Sequence, residues 1–151
     1  MSPATVPQGF TRLELGGEFI AANGPLYERF DGDAYQLGFR VEKRHTNTMG
    51  ICHGGMMATF CDMLLPITAF RRSDTLRARF LPTVSLDIDY LAPSPLGAWV
   101  QGEAQVLRST RSMVFAQGLV TADGEPVARV SGVFKIGAVF AAAIAQGGAA
   151  G

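Results

Sequence analysis

The chain has 151 residues, 48% of them hydrophobic, and its 13 lysines and arginines are balanced by 13 aspartates and glutamates. That length suits one domain able to bury roughly two thirds of its unfolded surface, and the zero net charge argues against a protein that coats nucleic acid by neutralising phosphates. Two cysteines (Cys52, Cys61) and two histidines (His45, His53), with no C-x-x-C pair, give neither a disulfide framework nor a zinc-ligand pattern.

Met1 to Gln8 lacks the basic start and apolar core of a signal peptide, so a cytoplasmic location is expected. Residues 1–24 form an N-terminal segment, polar and glycine-interrupted to about Glu14; Gly17 to Ala22 predicts a short helix that Asn23-Gly24-Pro25 ends. Leu26 to Phe30 and Tyr35 to Val41 alternate apolar with polar, and Asp31-Gly32-Asp33 between them predicts a hairpin. Gly54 to about Phe70 is a long helix, apolar nearly all round and therefore expected to be covered on most sides. Its one charge, Asp62, and the nearby Pro66 make it a poor membrane span.

Everything after Phe80 reads as sheet. In Thr83 to Leu91, strict alternation puts Val84, Leu86, Ile88 and Tyr90 on one face and Thr83, Ser85, Asp87 and Asp89 on the other. Trp99–Leu107, Met113–Thr121 and Val127–Ile136 follow as an antiparallel meander, with turns at Ser109-Thr110 and at Ala122 to Pro126. Residues 25–137 are thus the folded domain, and 138–151 an Ala/Gly-rich tail expected to fray. The fold class is α+β, one antiparallel sheet curled around one helix. Such a layering leaves the sheet's outer face and edges uncovered, which predicts self-association.

Two features concentrate chemistry near the long helix. A carboxylate in apolar surroundings is costly unless paired, bonded or neutralised, so Asp62 is either functional or a structural acid tied to a hydroxyl such as Thr59. At the helix start, Ile51, Cys52, His53 and Gly54 include no good capping residue, while Gly54 and Gly55 leave the backbone bare. Free N–H groups at the positive end of a helix suit a developing oxyanion; the alternative is a tight packing point where glycine merely avoids a clash. Gly54 and Asp62 are eight residues apart, roughly 12 Å along a helix, so one small reacting group cannot touch both on the same chain. A two-fold dimer with antiparallel helices would bring one chain's helix start to its partner's carboxylate, giving two equivalent sites.

The pattern Asn47, two residues, Gly50, two residues, His53-Gly54-Gly55, then Asp62 seven places on, resembles the hotdog-fold acyl-CoA thioesterases of the PaaI (phenylacetate-pathway) type. The resemblance runs from about Pro25 to Ile136 and includes the phrase Val84 to Pro93. It implies a hotdog fold and hydrolysis of acyl-CoA, with an aryl or medium-chain acyl group, to free acid and CoA. No metal or other cofactor is implied, since coenzyme A is part of the substrate.

By position, the resemblance casts Gly54 as the amide that polarises the thioester carbonyl, with Asn47 and His53 supporting that loop and the carbonyl end of the substrate. Asp62 from the facing subunit becomes general base or nucleophile, and Ser85 the hydroxyl that orients water. By strand parity, though, Ser85 lies on the polar face and reaches the site only across a subunit boundary or through a bulge. Gly55, Met56, Met57 and Phe60 are the candidate acyl-pocket residues, and Arg77 and Arg111 the candidate CoA-phosphate contacts. The implied assembly is a homodimer with shared sites, paired again into a tetramer, with neither nucleic acid nor membrane as partner. The rival function is a non-catalytic hotdog module that binds acyl-CoA as a sensor or partner. A hydratase on the same fold ranks last, because neither histidine has an aspartate at the required spacing.

Overall fold

Seven strands join into a single antiparallel sheet in the spatial order β1-β2-β3-β5-β6-β7-β4. The computed structural model describes residues 5–139. The strands are β1 (Thr11–Arg12), β2 (Tyr27–Asp31), β3 (Ala34–Arg40), β4 (Thr83–Tyr90), β5 (Trp99–Ser109), β6 (Met113–Ala122) and β7 (Glu125–Lys135). A short helix α1 (Gly17–Asn23) precedes β2, and the long helix α2 (Gly54–Arg72) lies between β3 and β4. This is the hotdog arrangement, a sheet wrapped around one helix. β1 was not foreseen: two residues paired with Tyr27 and Glu28 are too few to show alternation. The Ala/Gly tail lies outside the described residues from position 140 onward.

The turns follow their residue types. Gly32 at φ 61° closes the β2–β3 hairpin, and Asp123 (φ 47°) with Gly124 (φ 88°) closes β6–β7, the double left-handed pair that tight hairpins need. Helix α2 seats on the sheet through Phe60, Cys61, Leu64 and Leu65, all fully enclosed. Each buried leucine contributes roughly 1.5–3 kcal/mol. The close seat depends on bare backbone beneath it. A Cβ on Gly102 would stand 2.5 Å from a Leu64 methyl, and one on Gly132 would stand 2.9 Å from a Leu65 methyl.

Helix α2 is less covered than its composition suggested. Asp62, Met63, Pro66 and Ile67 are only half-buried and line an open cavity with Phe70. Pro66 lacks an N–H, so the carbonyl of Asp62 has no helical donor four residues on. Strand β4 pairs with β7 alone, which leaves its other edge open among the described residues. A bulge interrupts it: Thr83 opposes Phe134 and Ser85 opposes Val133, so Val84 is the extra residue. Strict alternation therefore fails at this point. Thr83 joins buried Phe134 on the helix side rather than Ser85 on the polar face.

Candidate active site

The loop into α2 is built by Asn47. Its Oδ1 accepts the N–H of Met49 (2.9 Å) and of Ile51 (3.4 Å). Its backbone N–H donates to Ile51 O at 2.9 Å, and its carbonyl accepts the Gly50 N–H at 3.0 Å. Gly50 sits at φ 73°, which glycine alone adopts freely. The next residues are pinned in turn: Cys52 N–H donates to Ser94 O and His53 N–H to His45 O, both at 2.8 Å. His45 is buried, accepts the Glu42 N–H on Nδ1 (3.0 Å) and meets Asn23 O through Nε2 (2.6 Å). It is a structural prop.

His53 caps the helix, a role its residue type did not announce. Its Nδ1 accepts the Gly55 N–H at 2.7 Å, and its carbonyl accepts Met56 and Met57. One N–H of the first turn is left over. Among the described residues Gly54 N–H has no acceptor, while Gly54 O accepts the Tyr90 hydroxyl at 2.6 Å. That peptide is held in place with its donor free. Gly54 lines a cavity of about 500 Å³ with Asn47, Met57, Tyr90, Pro93 and Val127, a size typical of small-molecule sites.

Asp62 opens into a different cavity, of about 560 Å³, shared with Met63, Pro66, Ile67, Arg79 and Thr83. Its Oδ1 accepts the Thr83 hydroxyl at 2.6 Å. Thr59, the hydroxyl suspected from sequence, donates to Gly55 O instead (2.9 Å). Ser85 is exposed, and within one chain it is Thr83 that bonds Asp62. One protomer thus holds the amide donor and the carboxylate in separate cavities, as the helical rise of roughly 12 Å between them requires.

The other candidates divide. Met57 lines the Gly54 cavity, and Met56 lines a third hollow with His53, Gly55 and Thr59. Phe60 does not line a pocket: it is fully enclosed, its ring 5.1 Å from that of Phe39, because helical spacing points it at the sheet. Arg77 is exposed and paired with Asp74 at 3.1 Å, and Arg111 is exposed in the β5–β6 turn. Neither borders the Gly54 or the Asp62 cavity. Burial pushes the Cys52 thiol up to about 11 and the Cys61 thiol up to about 12, the latter aided by the neighbouring Asp62 and Cys52 charges. At neutral pH both stay protonated, which removes them as nucleophiles. Burial likewise raises the Tyr90 phenol. Tyr90 and Thr83 were missed as site residues. An amphipathic tyrosine closing an apolar strand face was the one available signal for Tyr90, and nothing local marked Thr83.

The family model of the thioesterase superfamily matches residues 49–128, a span holding the helix start, Asp62, Thr83 and Tyr90. The chain belongs to the thioesterase superfamily. A Pseudomonas aeruginosa protein named provisionally as an esterase is 29% identical over 133 residues, covering 87% of this chain and 97% of its own length. Mouse acyl-coenzyme A thioesterase 13 is 32% identical over 79 residues, 51% of this chain and 53% of that protein. Among solved structures, zebrafish thioesterase superfamily member 2 superposes with a TM-score of 0.68 at 26% identity, covering 81% of this chain and 87% of that one. A phenylacetic acid degradation-related protein from Ralstonia eutropha gives 0.69 at 18% identity over 81% and 92%, a likeness of fold. This superfamily member is a thioester hydrolase of PaaI-like, hotdog architecture.

Proposed function

We propose that this thioesterase hydrolyses acyl-CoA thioesters to the free acid and CoA, at two equivalent sites formed between the subunits of a dimer. The observation that carries the reading is the division of labour: a Gly54 N–H without an acceptor among the described residues in one cavity and Asp62 in another. The similarity to acyl-coenzyme A thioesterase 13 supports CoA as the carrier. Gly54 N–H receives the thioester carbonyl, and Asp62 of the partner subunit takes a proton from water. The water oxygen bonds to the carbonyl carbon, whose π electrons move onto the oxygen facing Gly54. Collapse of that tetrahedral centre breaks the C–S bond, and the proton held by Asp62 goes to the leaving sulfur. The chemistry calls for no metal or redox group. Half-exposed Phe115 and Leu119 on the sheet's outer face offer a second contact, pairing dimers into a tetramer.

Subunit mixing tests the shared site. Gly54→Pro and Asp62→Asn, each purified and inactive towards a panel of aryl- and medium-chain acyl-CoAs, are unfolded together and refolded. In a random mixture half the dimers are mixed and each carries one intact site, so activity returns to roughly a quarter of wild type. A mixture as inactive as its parents overturns the two-chain site.

A further inference from the structure

We propose that Arg79 selects acyl groups that end in a carboxylate, an inference that names the acyl class and rests on the acyl-CoA hydrolase reading above. Asp62 and Arg79 are the two charged residues lining the cavity beside α2. One wall is the helical stripe Asp62, Met63, Pro66, Ile67 and Phe70, spanning eight residues or roughly 12 Å. The opposite wall is the segment from Arg79 to Thr83, which runs back along the helix. Tyr90 meets Gly54 and Thr83 meets Asp62, so the chain upstream of Thr83 continues toward the helix C-terminus. Arg79 therefore lies toward the Phe70 end, away from the catalytic carboxylate. Between the two ends the lining is apolar, Pro66 and Ile67 from the helix with Leu81 and Pro82 from the segment before β4. The cavity has a reacting end, an apolar middle and a cationic far end.

Arg79 is built into place. Its Nε donates to Gly137 O at 2.8 Å, and its backbone N–H donates to Leu76 O at 3.1 Å. The preceding Ala78 is held at φ 67°, a left-handed conformation that costs a non-glycine residue about 1 kcal/mol. Among the described residues no carboxylate pairs with its guanidinium. With Nε occupied, the two terminal nitrogens are left as a fork that matches a carboxylate in bidentate geometry.

The test uses saturated acyl-CoAs in chain-matched pairs, butyryl with succinyl, hexanoyl with adipoyl and octanoyl with suberoyl. The quantity read is the ratio of kcat/KM within each pair, for wild type, Arg79→Met and Arg79→Lys. Wild type should favour the carboxylate member by about tenfold or more in at least one pair, the discrimination a charged hydrogen bond supplies. Arg79→Met should bring that ratio to near one, with Arg79→Lys in between. A wild-type ratio at or below one for every pair overturns the proposal without using a variant. So does an equal loss on both members in Arg79→Met, which would mark a contact with the CoA moiety. A wild type that hydrolyses neither member of any pair nor an aryl-CoA would instead defeat the acyl-CoA hydrolase reading itself.

Discussion

Replacing Gly54 with proline deletes a single N–H and disturbs little else, so it isolates the proposed oxyanion donor. Gly54 is the first residue of α2, the position where proline is best tolerated. His53 before it is extended (φ −61°, ψ 137°), as a residue preceding proline must be. The Gly54 N–H has no acceptor among the described residues, so no helical bond is lost. A Cβ would stand 3.6 Å from Tyr90 Oη and 3.7 Å from its ring, ordinary contact distances. Folding free energy should shift by about 1 kcal/mol or less, a change in Tm of roughly 2–4 °C. The effect on turnover should be far larger. Loss of one oxyanion donor costs about 10²–10³ in kcat, or about 2.7–4 kcal/mol. Gly54→Ala adds the same Cβ and keeps the N–H, so the difference between the two variants reports the donor rather than bulk. Thiol release from the preferred acyl-CoA, beside thermal melts, supplies both quantities. If folded Gly54→Pro and Gly54→Ala turn over at the same kcat, Gly54 is not the donor.

Three further outcomes follow from particular contacts. His53→Ala removes the imidazole cap on Gly55 and should cost about 1 kcal/mol, while His53→Asn, which also caps, should recover most of it; calorimetry showing no loss in the alanine variant would mean the imidazole is not the cap. Thr83→Val deletes the hydrogen bond to Asp62 and should lower kcat about tenfold with a smaller effect on KM, and Thr83→Ser should be close to wild type. Equal kcat for valine and serine would show that the hydroxyl positions nothing. The Cys52 and Cys61 thiols are raised from their ordinary value near 9 to about 11 and about 12, so their contribution to stability is whole below pH 9. It is lost as rising pH ionises the unfolded thiols first. The urea midpoint should therefore fall steadily above pH 9, and Cys61→Ala should flatten that fall.

What could be read from the sequence was what local chemistry decides. The Asp-Gly hairpins at Gly32 and Gly124, the helix beginning at Gly54 and the isolated Asp62 each follow from residue type and spacing. The partners of those residues were not legible, because they are set by contacts between distant segments. A bulge at Val84 moved Thr83 to the helix side against the parity of its strand. A histidine did the capping work of Ser or Asp because its own backbone is anchored to His45. Phe60, adjacent in sequence to pocket residues, went to the core because Gly102 and Gly132 draw the helix onto the sheet along that face. The same seating explains why the opposite stripe, Asp62 to Phe70, stays open. A helix cannot bury two faces in one sheet. The face left over here carries Asp62, so in the proposed dimer the docking of a second subunit would cover that face and complete the shared site in a single event.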